Sequence, residues 1–319
     1  MNRTSTGCVL GIDVGGTGIR LRGVRRGRET AVEERRAIRR TGSGIDIAAL
    51  ADAITRLART GAVDLDAHGI RALCVGTTGV PGPIDPDELA EALRQRLGAA
   101  RIAIAGDALT SHVGALTGEP GVIVAAGTGA IALGTDLAGI WNRVDGWGYL
   151  AGDEGSGSWI GRQGLQLALR ALDGRSPGSP LLLEFALQQW GDADTLIKEL
   201  YRAESPAQQL AGFCPAVAQA ARRGDEHARA IWTSAGTALG QAAAAASAGL
   251  PPVITWAGSM FNAGELLLEP FWSEVRRTLP TAERRAPRGR SVDGALQLAE
   301  RLVAGTLPVP ASGFLHTCG

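Results

Sequence analysis

The sequence predicts a two-domain α/β protein, and three observations carry that prediction. Short apolar runs of buried-strand type alternate with segments of helical periodicity. A unit of strand, glycine turn and strand occurs twice, at Asp13-Val14-Gly15-Gly16-Thr17-Gly18 and at Ala126-Gly127-Thr128-Gly129. The chain has 319 residues, enough for two domains of roughly 100–200 residues each. The expected division is 1–115 for the first domain and 116–319 for the second, the latter with helical insertions.

In chain order, Cys8 to Asp13 reads as a strand that ends in glycines, and Ile19 to Val24 as its returning hairpin partner. A third strand is expected over Ala31 to Arg39. Apolar spacing predicts a helix over Asp46 to Arg59, followed by a strand at Ala72 to Gly76, a helix at Pro86 to Leu97 and a strand at Arg101 to Gly106. A helix follows over Ala108 to Leu116. The second half opens with strands at Val122 to Ala126 and Ala130 to Leu133. Helices then dominate, over Trp159–Leu172, Leu181–Gln189, Asp194–Tyr201, Gln208–Arg222 and Glu226–Ala248. A late strand at Ile254 to Ala257 runs into Gly258-Ser259, and helices over Glu265–Thr278 and Gly294–Ala304 close the fold. Three breakers, Pro308, Pro310 and Gly313, predict an irregular tail from Leu307 onward.

Composition narrows the function. Basic and acidic residues number 32 each, so no net charge draws the chain to nucleic acid or to an anionic membrane. Four well-separated cysteines, Cys8, Cys74, Cys214 and Cys318, show neither metal-ligand spacing nor a disulfide framework, and suit reduced thiols of a cytoplasmic protein. Asp13 interrupts the apolar N-terminal run, against a signal peptide.

Three glycine turns follow apolar strands, at Gly15-Gly16-Thr17, Gly127-Thr128-Gly129 and Gly258-Ser259. Such turns can aim several backbone N–H groups at a phosphate with no Cβ in the way. Each alone is more often just a tight hairpin; the combination points to a nucleotide. A P-loop would need a lysine after its glycines, and the sole lysine, Lys198, lies in an amphipathic helix instead. A dinucleotide fold would need a helix directly after the turn, where strands follow here. Asp13 beside the first turn is either a turn-initiating residue or a carboxylate that holds Mg²⁺ through water. Asp107, after a buried strand, is a helix N-cap, a general base, or both. The stretch Asp145 to Gly157 has five glycines, two aromatics and the adjacent acids Asp153 and Glu154, a composition that suits a pattern of sugar hydroxyls.

Taken together, Gly11-Ile12-Asp13-Val14-Gly15-Gly16-Thr17, Gly106-Asp107-Ala108, Ala126-Gly127-Thr128-Gly129 and Gly146-Trp147-Gly148…Gly152-Asp153-Glu154-Gly155-Ser156 resemble the BadF/BadG/BcrA/BcrD ATPase family. The likeness is to its N-acetylglucosamine kinase and glucosamine kinase members, from about residue 8 to 305. The resemblance implies an actin-like, ribonuclease H-like fold with a nucleotide cleft between two domains. It implies ATP and Mg²⁺, a small-molecule sugar as partner, and transfer of the γ-phosphate to a 6-hydroxyl; it also admits a homodimer. By the same resemblance, Asp107 is the catalytic base and Asp13 supports the metal. Gly15, Gly16, Thr17, Gly127, Thr128 and Gly129 hold phosphates, and Gly258 and Ser259 form the adenosine-side turn. Thr78, Gly146, Trp147, Asp153 and Glu154 face the sugar. One departure stands out: the family's asparagine after a turn near residue 45 is absent, with Ser43 or Asp46 in its place. That leaves glucosamine beside N-acetylglucosamine as substrate. The competing functions are an activating ATPase for a partner enzyme and a non-catalytic sugar sensor. The first needs cysteines near the second turn, yet none lies between Cys74 and Cys214; the second needs a DNA-binding extension that the sequence does not show.

Overall fold

The structure is a computed structural model that describes residues 7–15, 18–34, 40–41, 44–61, 69–80, 82, 84–307 and 313–318. The chain divides into two compact units: residues 1–121, 135–141 and 286–319 form one, and 122–134 with 142–285 the other.

The first unit is built on a six-stranded sheet. Strand β1 (Cys8–Gly15) pairs antiparallel with β2 (Gly18–Arg25), which pairs antiparallel with β3 (Arg28–Glu34). On its other side β1 runs parallel to β6 (Ile70–Thr77), and β6 parallel to β7 (Ile102–Gly106). Strands β4 (Arg40–Thr41) and β5 (Gly44–Ile45) form a separate two-stranded ribbon. Every residue from Cys8 to Val14 is buried. That is why β1 reads as an unbroken apolar run instead of an alternating one.

Leu10 and Ile12 share a core cluster with α1 (Ile47–Gly61) and α2 (Pro86–Leu97). Gly11, between them, therefore faces the opposite side of the sheet. There α10 (Ser291–Ala304) lies so close that a Cβ on Gly11 would stand 2.1 Å from the Leu296 nitrogen. The same helix meets α3 (Asp107–Leu116) at Gly294, where a Cβ would stand 1.9 Å from the Thr110 carbonyl oxygen. These close approaches bring residues 286–319 back onto the first unit, whereas the expected boundary assigns them to the second.

The second unit carries a five-stranded sheet of β8 (Gly121–Ala126), β9 (Ala130–Thr135), β10 (Trp141–Asp145), β11 (Val253–Ala257) and β12 (Glu283–Arg284), in the order β10-β9-β8-β11-β12. Its helices are α4 (Gly157–Leu172), α5 (Pro180–Trp190), α6 (Ala193–Arg202), α7 (Pro206–Arg222), α8 (Glu226–Ala246) and α9 (Glu265–Thr278). Phe213, Trp232 and Phe271 are its largest wholly buried side chains.

Helix α2 spans the predicted residues because its ends are written in the sequence. Asp85 accepts from the Asp87 and Glu88 N–H groups, Pro86 occupies the first turn, and Gly98 terminates the helix at φ 62°. Two expectations are corrected. The third strand starts at Arg28, because the Arg26-Gly27 turn is tight; residues 35–39 of the expected strand lie outside the described residues. The tail is not wholly irregular: Leu315–Cys318 forms β13, which adds to β7 antiparallel and covers its edge. Strand β10 is an element the sequence reading did not assign, its half-buried residues showing no apolar alternation.

Candidate functional site

In the first unit, register aligns the chemistry. Val14 is level with Thr77 and Thr77 with Gly106, so Gly15, Thr78 and Asp107 stand one residue further on, at the carboxyl ends of three adjacent parallel strands. This edge of a parallel sheet is where α/β proteins bind ligands. Gly16 and Thr17, the rest of the first glycine turn, lie outside the described residues, as does Ser43. Asp46 is committed elsewhere: its carboxylate caps α1, accepting from the Ala49 N–H at 2.9 Å.

Asp107 is the first residue of α3, and Gly106 holds the N-cap position with no side-chain cap bond. The cap reading is therefore corrected: the carboxyl belongs to the helix's first turn. Burial pushes its pKa up to about 6, and the nearby Asp13 charge adds to that. Asp13 is buried, with both oxygens engaged: Arg20 Nη1 donates to Oδ2 at 3.0 Å and Ser291 Oγ to Oδ1 at 2.7 Å. Thr110 Oγ1 lies 2.7 Å from Ser291 Oγ. Thr110 Oγ1 also reaches the Asp107 carbonyl oxygen, to which it donates at 3.1 Å, so its one proton serves both neighbours. Among the described residues, no three His, Cys, Asp or Glu side chains cluster as a metal site. Asp13, beside Asp107, would suit Mg²⁺ in another way. A hydrated ion brought by the phosphates would need only one or two carboxylates, and its charge would offset the Asp13 contribution to the raised Asp107 pKa.

In the second unit, β8 and β11 run parallel with Ala125 level with Ala257, so the turns at Gly127 and Gly258 emerge side by side. Gly258 has φ 100°, and a Cβ there would stand 2.1 Å from the Ala126 carbonyl oxygen, so no other residue fits. The second turn is tied to the start of α4: Gly157 N–H donates to the Gly127 carbonyl at 2.8 Å and Ser158 N–H to that of Thr128 at 3.1 Å. Gly258 and Ser259 are exposed.

The glycine-rich loop divides its acids by role. Asp145, to which sequence reasoning gave no role, organises it by accepting the Asp153 and Glu154 N–H groups, each at 2.8 Å. Asp153 is buried and accepts from Gly148 N–H at 3.0 Å; its Oδ2 stands 2.6 Å from where a Cβ on Gly129 would be. Burial raises its pKa, with Asp145 adding to the shift. The structure thus couples Asp153 to the second glycine turn. Glu154 is exposed, and Trp147 is 66% exposed, with the Arg143 guanidinium 4.2 Å from its ring centroid. Gly146 carries φ 73°, which turns the chain into the loop. Nearby, Phe261 and Trp272 are core residues, while half-buried Trp256 packs under Arg284.

Sequence reasoning missed Arg20, Ser291, Thr110 and Asp145. Arg20 was within reach: a two-residue hairpin turn pairs 15 with 18 and hence 13 with 20. Ser291 was not, being 278 residues from its partner.

The BadF/BadG/BcrA/BcrD ATPase family matches residues 10–298. The chain belongs to this ATPase family. A Chromobacterium violaceum structure, named as a candidate N-acetylglucosamine kinase, matches 92% of this chain and 99% of its own, at 30% identity and TM-score 0.71. The N-acetylmuramic acid/N-acetylglucosamine kinase of Clostridium acetobutylicum is 28% identical over 236 residues, 72% of this chain and 76% of that protein. The N-acetyl-D-glucosamine kinase of Dictyostelium discoideum is 33% identical over 176 residues; the match spans 53% of this chain and 54% of that relative. A ROK family glucokinase from Streptomyces griseus, solved with glucose and AMPPNP, shares the fold over 92% of this chain and 98% of its own, at TM-score 0.55 and 19% identity. The family member described here thus has the two-domain fold of the actin-like ATPases. Among its described residues, no helix is long and apolar enough to cross a membrane.

Proposed function

We propose that this ATPase-family chain is an amino-sugar kinase, transferring the γ-phosphate of ATP to the 6-hydroxyl of N-acetylglucosamine or glucosamine in the cytoplasm. The observation that carries the reading is Asp107: a carboxyl at a parallel-sheet edge, level with Gly15 and Thr78, whose burial and Asp13 neighbour raise it to about 6. A base that titrates there is ionised at neutral pH yet basic enough to take a hydroxyl proton. The names of the Clostridium and Dictyostelium relatives favour this acceptor class.

In this reading, an Asp107 carboxylate oxygen accepts the proton as the sugar oxygen bonds to the γ-phosphorus and the bond to the β-phosphate oxygen breaks. Gly15, Gly16 and Thr17 in the first unit, and Gly127, Thr128 and Gly129 in the second, offer N–H groups to phosphates; Gly258 and Ser259 take the adenosine side. Asp13 would hold Mg²⁺ through water, and the ion supplies charge neutralisation on the phosphates. Thr78, Gly146, Trp147, Asp153 and Glu154 serve the sugar, with Asp153 also bracing Gly129.

The test is a coupled assay of ADP release with ATP and Mg²⁺ against N-acetylglucosamine, glucosamine, glucose, N-acetylmannosamine and N-acetylmuramic acid. Saturable ADP release matched by a 6-phosphorylated amino sugar is the expected result. ADP release indifferent to every sugar overturns the kinase reading.

A further inference from the structure

Nucleotide sites that transfer a phosphoryl group place a full positive charge at the phosphates, since backbone N–H groups supply only partial charges. The sole lysine, Lys198, belongs to α6 in the second unit. Beside the first turn the structure offers an arginine. Arg20 is the cross-strand neighbour of Asp13, and Glu33 is the cross-strand neighbour of Arg20. Its Nη1 bonds Asp13 and its Nε donates to Glu33 Oε1 at 3.2 Å, so the guanidinium is strung across three strands. Nη1 also stands 3.8 Å from where a Cβ on Gly15 would be, which puts the charge beside the residue that ends β1.

We propose that Arg20 is the cation of the first phosphate turn, held ready by Asp13 and Glu33 and turned onto the terminal phosphates of the nucleotide when ATP binds. This rests on the ATP-binding reading above and extends it to a residue that the reading does not use. Three features carry it. A guanidinium has five N–H donors in a planar fork, so it can keep one carboxylate while engaging a phosphate. The Glu33 side chain is 43% exposed, so that pair is a loose tether. Asp13 has both oxygens occupied, and a rotation of Arg20 toward phosphate frees Oδ2 for the metal's water shell while Ser291 keeps Oδ1 in place.

The experiment compares ADP and AMP binding by calorimetry, with Mg²⁺, in the wild type and in Arg20→Gln, Arg20→Lys and Glu33→Gln. A terminal-phosphate contact predicts that Arg20→Gln weakens ADP at least about tenfold and leaves AMP within about twofold. Arg20→Lys recovers part of the ADP affinity, because a point charge remains. Glu33→Gln changes ADP by less than Arg20→Gln does. A role confined to neutralising Asp13 predicts that both nucleotides weaken alike; that result, or ADP binding unchanged in Arg20→Gln, overturns the proposal. Should Arg20→Gln fail to fold, Arg20→Lys decides, since it must still lower ADP affinity relative to AMP. Wild-type protein that binds neither nucleotide overturns the ATP reading itself, and the Arg20 assignment with it.

Discussion

A carboxyl that ionises near pH 6 inside a protein has thermodynamic and catalytic signatures of opposite sign, and Asp107 should show both. Its native pKa lies above its unfolded value, so folding favours the protonated form. Nothing is lost below about pH 4; the cost grows as pH rises through about 6 and is constant above. Asp107→Asn removes that cost. We expect the variant to be more stable than wild type at pH 8 by on the order of 1–3 kcal/mol and no more stable at pH 4, as urea unfolding at the two pH values would show. The same substitution should lower kcat by about 10²–10⁴ while ADP binding survives. Unchanged turnover would remove Asp107 from the role of base. In the wild type, kcat/KM should fall about tenfold per pH unit below the native pKa, because the free enzyme's base is then protonated. An acid limb centred near 4 would mean that neither burial nor Asp13 acts on the base.

Elements explain why some of this was legible and some was not. Turn and cap chemistry is local, so Asp85-Pro86 and Gly98 announced α2, and the glycines after β1, β8 and β11 announced three turns. Packing chemistry is not local. Nothing near Gly294 says that Thr110 lies against it, and nothing near Asp145 says that it will gather the N–H groups of Asp153 and Glu154. The cap reading of Asp107 failed because helix starts are ambiguous by a residue, and that residue moved the carboxyl from N-cap into the first turn. The Asp145 arrangement makes a prediction for its loop. Asp145→Ala leaves two backbone donors without their carboxylate, which costs about 1–3 kcal/mol locally. The sugar KM should rise about tenfold while the ATP KM holds, if Trp147 and Glu154 meet the sugar. Asp145→Asn should recover only part of the loss, since asparagine tolerates the φ of 61° but its one amide oxygen can accept from one of the two N–H groups while its NH2 opposes the other. Equal rises in both KM values would show that the loop serves the nucleotide as well.

At the scale of the molecule, the first unit is closed by the last stretch of the chain. The α10 helix contributes Ser291 to Asp13 and packs through Gly294 on α3, while β13 pairs with β7, the strand that ends just before Asp107. The second unit draws its core from residues between 122 and 275. A chain that stops at residue 285 therefore keeps every strand of the second sheet and strips a helix and an edge strand from the first. Gly11, with no side chain to cover that face of β1, would meet water where the Leu296 backbone now lies. Hydrogen exchange should resolve this unit by unit, because local opening reports local packing. Amides of β1, β6 and β7 in the truncated chain should lose protection by orders of magnitude relative to the full chain, while those of β8 and β11 keep theirs. Retained protection in β1 would show that the first sheet stands without α10, and that the carboxyl-terminal segment matters only for placing Ser291 on Asp13. Collapse of protection in both sheets would show instead that the two units fold as one cooperative body.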